Sequence, residues 1–401
     1  MPPKHTDWER VPFPREEYER RMACLRAGME PAGLDGLVVC GAPKRSGYVR
    51  YVSNFDSYYG TTFVLVPRQG SPVLITDSHF RQEPMQTGLW MTWIEEVRWA
   101  RTSPLLFDPR ELLKLLEEAL AELHPAGGAV GVVGEEALYP ALYQGFRALL
   151  SGEGWKSAFD LFHSVACRKS PAEIDLMARI GRAMDGAIGE FLDALRPGVS
   201  EAELFAVLAG SLFREGVQNF FGTVPPVLVS GDRTRLKSVP PGPRRVERGD
   251  LVFFDVEPEL EGYYLDISRT AAAGTPSPKT RSLMEASLAA EGAFFSAARP
   301  GVSVRKLREE ALRPVKEMGL DRFFYFKLHG MGTSRPAYPL VDQLDFVLEE
   351  GMSFTLESIL VDPDAGTGTI ENAYVMTAEG ARRLVWKGMA LPLVRPRATG
   401  I

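Results

Sequence analysis

With 45% hydrophobic and 24% charged residues over 401 positions, the chain has apolar content for a sizeable core, which excludes wholesale disorder; about 150 residues per domain predicts two domains, or one large domain with an appendage. Its 46 Lys and Arg against 52 Asp and Glu leave a formal charge of −6, which argues against a sequence-independent nucleic-acid binder. Cys24, Cys40 and Cys167 are too few and scattered for a disulfide framework or zinc knuckle, no run of roughly 18 apolar residues suits a membrane span, and the polar opening MPPKHTDWER does not read as a secretory signal, so a soluble cytoplasmic protein is expected.

The first half alternates helix and strand signals. Pro14 to Gly33 carries Met22, Leu25 and Met29 at helical spacing. DGLVVCGAP reads as a buried strand, and YVRYVSNF, TTFVLVP and SPVLITD as further strands between Gly, Pro and Ser punctuation. ELLKLLEEALAELH is an amphipathic helix and AVGVVG another strand. His79 and His124 stand alone and read as surface or packing residues. Ser170-Pro171 opens a long helix, which puts a junction near Cys167–Pro171 and predicts domains at 1–167 and 168–401. In the second domain Arg196-Pro197-Gly198-Val199-Ser200 recurs as Arg299-Pro300-Gly301-Val302-Ser303, each copy after a helix and with its serine at an N-cap position. Glu203 completes a capping box in the first copy and Lys306 stands there in the second. The echo predicts a duplicated α/β half-domain whose halves face each other across a cleft.

The chemistry-bearing residues lie between 250 and 372. GDLVFFDVEP is a strand with Asp255 in an apolar run, and YYLDISRTA a second strand bearing Asp266. A hairpin turning about residues 260–261 sets those two aspartates nearly opposite, where they repel unless one is protonated or a cation intervenes. FYFKLHGMGTS puts His329 before glycines that admit close backbone approach; GMSFTLES ends on Glu357, and GTGTIENAYVMT carries Glu371. Each alone reads as an ordinary packed histidine or paired carboxylate. Four carboxylates and one imidazole in apolar strands are costly together without counter-charge. Two divalent ions about 3.5 Å apart would neutralise them, and the donor mix suits Mn, Co, Fe or Zn.

The ordered set Asp255, Asp266, His329-Gly-Met-Gly, Glu357 and Glu371 resembles the pita-bread metallopeptidase family, in its Xaa-Pro dipeptidase, Xaa-Pro aminopeptidase and creatinase branch. The resemblance implies a pita-bread catalytic domain of two pseudo-symmetric halves behind a smaller creatinase-type α/β domain. It implies two divalent ions: Asp255 on one, Asp266 and Glu371 bridging, His329 and Glu357 completing the other. A metal-bridging hydroxide would cleave an amide bond of a small peptide, with Glu357 moving the proton and His329 at the reacting centre. A homodimer is implied too, with the FDSYYG stretch near Tyr58 approaching a neighbouring site.

Three positions depart from the peptidase pattern. Ser238 in SGDRTRLKSVPPG and Pro336 in TSRPAYP stand where histidines that bind substrate are usual, and Thr369 replaces an arginine. Arg233, Arg235, Lys237, Arg335 and Tyr338 cluster at the altered places, and Arg335 suits a carboxylate-bearing substrate. Ser238, Tyr338 and Glu257, which shares a strand face with Asp255, complete the candidate substrate contacts. A non-peptidase hydrolase or lyase acting on a small carboxylate metabolite, like creatinase or the dimethylsulfoniopropionate lyases, is therefore the alternative, with a catalytically silent homologue as the third reading.

Overall fold

A computed structural model describes residues 11–57, 60–77, 91–101, 108–123, 129–150, 154–218, 226–236, 239–335, 337–341 and 343–389. The chain divides into two compact units, Met1–Ala166 with Thr333–Arg335, and Cys167–Gly332 with Pro336–Ile401. His79, His124, Tyr58, Lys237, Ser238 and Pro336 lie outside the described residues. No helix among the described residues is long and apolar enough to cross a membrane.

The first unit is a mixed sheet of β1 (Gly36–Gly41), β2 (Thr62–Pro67), β3 (Val73–Thr76), β4 (Glu96–Trp99), β5 (Val130–Val133) and β6 (Trp155–Ser157), in the order β4-β3-β2-β1-β5-β6. Helices α1 (Arg15–Met29), α2 (Gly47–Ser53), α3 (Arg110–Leu123), α4 (Pro140–Leu149) and α5 (Phe159–Ala166) accompany it. Leu112, Leu116, Leu142 and Phe146 share one core with Val38, Phe63 and Ile75 of the sheet. The segment YVRYVSNF, expected as a strand, is instead α2. Its β-branched and aromatic residues favour a strand locally, but Tyr48, Val49, Tyr51 and Val52 are all buried, and burial on every side erases the period that tells a helix from a strand. Asn54, left-handed at φ 60°, ends the helix with its N–H on Arg50 O.

The second unit shows the duplication. Ser170 caps α6 (Pro171–Ala194) and Ser200 caps α7 (Glu201–Arg214), each through a full capping box, with Glu173 and Glu203. Ser277 caps α8 (Pro278–Ala297); Ser303 caps α9 (Val304–Glu317) from its hydroxyl alone, since Lys306 cannot return the bond. Gly198 N–H donates to Val246 O and Val246 N–H to Val199 O; Gly301, Leu348 and Val302 repeat the pattern in the second copy.

Each half then contributes strands to one antiparallel sheet. The first supplies β7 (Val227–Ser230), β8 (Leu251–Val256), the small pair β9 (Glu259–Leu260) and β10 (Tyr263–Tyr264), and β11 (Ile267–Ala272). The second supplies β12 (Phe324–Gly330), β13 (Ser353–Asp362), β14 (Gly366–Thr367), β15 (Ile370–Thr377) and β16 (Gly380–Arg383). The sheet order is β12-β13-β15-β11-β8-β7, with β14 on β13 and β16 on β15. The halves meet where β11 pairs β15, and that ladder holds the single register pair Ser268–Glu371. Side chains reinforce the seam: Thr270 Oγ1 donates to Thr369 O and accepts from Thr369 N–H, and the fully buried Arg269 donates to the carbonyls of Ser268, Glu371 and Lys387.

Candidate metal centre

One row across this sheet carries most of the chemistry. Lys327 pairs with Glu357, Glu357 with Glu371, Glu371 with Ser268, and Ser268 with Asp255. Residues directly opposite in a ladder point to the same face, so these five side chains stand side by side although residues 255 and 371 are far apart along the chain. Asp266 and His329 lie two residues from Ser268 and Lys327, so strand alternation puts them on that face too.

The expected opposition of Asp255 and Asp266 is off by two residues. Asp255 faces Ser268, and Asp266 lies in the short link between β10 and β11. The cause is the turn. Glu261 takes a left-handed φ of 51° and Gly262 one of 80°, which is a two-residue type I′ turn centred between them rather than at 260–261. Shifting a turn centre by one residue shifts every cross-strand partner by two. Gln218 holds this conformation, accepting from Glu261 N–H and donating to Glu261 Oε1, both at 2.9 Å. Glu357, expected at the end of a strand, sits in the middle of ten-residue β13.

Five carboxylate and imidazole groups come together as two triads sharing Glu371: Asp266, His329 and Glu371, and Asp255, Glu357 and Glu371, with each triad's donor atoms within 4.8 Å of one another. Asp266, His329, Glu357 and Glu371 are buried and Asp255 is half-buried. His329 Nε2 lies 3.4 Å from Asp266 Oδ2 and 4.0 Å from Glu371 Oε1. Donors about 2.1 Å from a common ion can stand at most ~4.2 Å apart, so these spacings fit a shared ion. His329 Nδ1 lies 3.1 Å from Gly330 O. A carbonyl only accepts, so Nδ1 carries a proton, and Nε2 is the ring atom turned toward the two carboxylates. Nε2 and Glu371 Oε2 are buried without a hydrogen-bond partner. An imidazole nitrogen and carboxylate oxygens gathered in a buried place suit a cation between them, so the residues present fit a divalent metal.

The electrostatics agree. Burial, then the neighbouring Asp266, Glu357 and Asp255 carboxylates, push Glu371 well above its ordinary value, with Lys327 opposing. For Lys327, burial pulls the ammonium down, but Glu371, Glu357 and Asp266 outweigh it and hold the group above the usual lysine value. Thr355 Oγ1 lies 3.0 Å from Asn372 O, 3.2 Å from Asp266 O and 3.3 Å from Glu371 Oε1, and so links β13, β15 and the segment before β11 around the carboxylate. A Cβ on Gly330 would fall 1.9 Å from the Tyr338 carbonyl oxygen, so only glycine lets that chain pass beside His329.

The other candidate residues fall elsewhere. Glu257 is buried one residue beyond β8, outside both triads. Tyr338 is half-buried with its ring edge-on to Phe346, and Arg335 groups with the first unit. Arg233 lies 3.3 Å from Glu201 and donates to Pro240 O, while Arg235 donates to Pro363 O. Lys327 was missed by sequence reasoning, although its place two residues before His329 in a strand-like run marks the same face.

An antiparallel sheet built from two helix-paired halves, with a carboxylate-rich row across their seam, defines a metalloenzyme of the pita-bread fold. The model of metallopeptidase family M24 matches residues 175–378, just over half the chain, and that of the creatinase/prolidase N-terminal domain matches residues 21–165; the chain belongs to metallopeptidase family M24. It is similar to the Bacillus subtilis protein YkvY, 32% identical over 233 residues (57% of this chain, 63% of that one). It is also similar to the Xaa-Pro dipeptidase of Pyrococcus furiosus, 29% identical over 253 residues (62% of this chain, 72% of that one). The match to YkvY thus spans less than two thirds of that relative's length. Among solved structures, the dipeptidase PepE of Mycobacterium ulcerans superposes with a TM-score of 0.78 at 25% identity, covering 95% of this chain and 99% of that one. The X-Pro aminopeptidase of Thermotoga maritima shares the fold, with a TM-score of 0.79 at 21% identity, covering 93% of this chain and 98% of that one.

Proposed function

We propose that this chain is a dinuclear-metal hydrolase that cleaves a small peptide at an Xaa-Pro bond. The observation that carries the reading is the pair of buried triads joined through Glu371 on one sheet row. In it, Asp266, His329 and Glu371 would hold one divalent ion and Asp255, Glu357 and Glu371 the other, Mn, Co, Fe or Zn. This differs from the arrangement implied by resemblance, since Glu357 now goes with Asp255. When bound, such ions polarise a carbonyl and supply a nucleophile from water at neutral pH. Glu357 accepts the proton and returns it to the leaving nitrogen, its Oε2 fixed by Lys327 at 3.1 Å. The Nδ1 bond to Gly330 O fixes the His329 ring. Similarity to an Xaa-Pro dipeptidase and to a dipeptidase supports the substrate class, and the reading includes a homodimer.

A second reading, a hydrolase or lyase of a small carboxylate-bearing metabolite, draws on Ser238 and Pro336 in place of the histidines usual in peptidase members. Incubation of metal-loaded protein with Ala-Pro, Leu-Pro and longer Xaa-Pro peptides separates the two. Release of the N-terminal residue with at least one of the four metals is expected. Failure with all four removes the peptidase reading and leaves the metabolite reading to be tried.

A further inference from the structure

Ser268 stands inside the ligand row, opposite Asp255 on one side and Glu371 on the other. Neighbouring strands lie about 4.8 Å apart, so the backbones of Asp255 and Glu371, on either side of β11, stand roughly 10 Å apart. Their carboxylate oxygens nevertheless come within 4.8 Å of each other and of one from Glu357. Both side chains therefore lean inward over Ser268, whose small side chain is the floor beneath them. Its hydroxyl is buried and has no hydrogen-bond partner among the described residues. Across the same register pair Glu371 Oε2 is also buried without one, while Glu371 Oε1 faces Thr355. Leaving a buried hydroxyl unbonded is unfavourable, and a hydroxyl that met a carboxylate oxygen directly would donate to it. Two oxygens that share one face and bond to nothing else fit a cation between them.

We propose that Ser268 is a further ligand of the centre, its Oγ presenting a neutral oxygen to the ion held by Asp255, Glu357 and Glu371. The inference deepens the metal-centre reading and rests on it. A hydroxyl adds a ligand without adding a fourth negative charge where three carboxylates already repel one another. Oxygen also suits Mn or Co better than an ion that prefers thiolate. Size matters as well: beneath carboxylates that converge this closely, a longer side chain would take the space of the ion.

The test is titration of the chelator-stripped full chain with Co²⁺, followed by absorption, with bound metal counted by elemental analysis after dialysis. In Ser268→Cys the hydroxyl becomes a thiol of similar size, which gives up its proton on binding a metal. A thiolate on Co²⁺ absorbs in the near ultraviolet by charge transfer, as carboxylates and imidazole do not. The variant should gain that band in step with bound Co²⁺. The parent, which has Cys24, Cys40 and Cys167 in common with it, should lack the band. Ser268→Ala should bind Co²⁺ about tenfold more weakly in one of its two steps. Without metal it should melt no lower than the parent, because it removes a hydroxyl that bonds to nothing. A merely structural hydroxyl would do the reverse, lowering the metal-free melt and leaving affinity alone. Circular dichroism establishes that each variant is folded; if Ser268→Cys is not, the alanine variant decides. A folded Ser268→Cys that holds as much Co²⁺ as the parent without the band, or an alanine variant of parental affinity, overturns the inference and spares the metal centre. A parent chain that takes up no Co²⁺ overturns both.

Discussion

Glu371→Gln will bind Mn²⁺ on the order of 100-fold more weakly than the parent, yet without metal it will unfold at a higher temperature. Both effects follow from the position of Glu371 in both triads. It is fully buried, and burial together with the Asp266, Glu357 and Asp255 carboxylates pushes its carboxyl well above the ordinary value of 4.5. With a raised folded value the sign is fixed. Below 4.5 both states hold the proton and the group costs nothing; as pH rises toward the folded value the unfolded chain ionises first, and stability falls. Glutamine keeps the shape and removes that dependence, so the metal-free variant should lose less stability than the parent as pH rises above about 4.5. Mn²⁺ at ~100 times its Kd should add about 2.7 kcal/mol to the parent and far less to the variant. Thermal melts across pH, with and without Mn²⁺, check the pair; a variant that binds Mn²⁺ like the parent removes Glu371 from the centre.

Arg269→Met will destabilise the protein by on the order of 3 kcal/mol or more and weaken Mn²⁺ binding, although Arg269 faces away from the ligands. Its neighbour Ser268 stands in the ligand row, so Arg269 points to the opposite face of the sheet. There it donates to Ser268 O, Glu371 O and Lys387 O across a seam with one register pair. Methionine fills part of the volume but leaves carbonyls without donors in a buried place and lets β15 slip from β11, carrying Glu371 with it. Urea unfolding and Mn²⁺ titration measure the two losses. Arg269→Lys, able to reach fewer carbonyls, should recover only part of each; a methionine variant that matches the parent in both shows the seam is held by other bonds.

What could be read from the residues was local. Ser170 with Glu173 and Ser200 with Glu203 announce their capping boxes within four positions, and the repeated Arg-Pro-Gly-Val-Ser segments mark equivalent turns. Asp255, His329, Glu357 and Glu371 stood out because each interrupts an apolar strand, and all four fall on strands of one sheet. The rest depended on register. The partner of Asp255 depends on the turn centre: Gly262 favours a two-residue turn at Glu261-Gly262, and that centre sets Ser268 rather than Asp266 opposite Asp255. Lys327 hid for the same reason: only the pairing of β12 with β13 brings it against Glu357. Helix α2 shows the other limit, a run buried on all sides in which the core decides the conformation.

The most direct test of the metal centre is anomalous X-ray diffraction from crystals soaked in saturating Mn²⁺. Two peaks flanking the Glu371 carboxylate are predicted, one beside His329 and Asp266 and the other beside Asp255 and Glu357. Diffraction that shows no manganese there, with those side chains turned apart, would contradict the account.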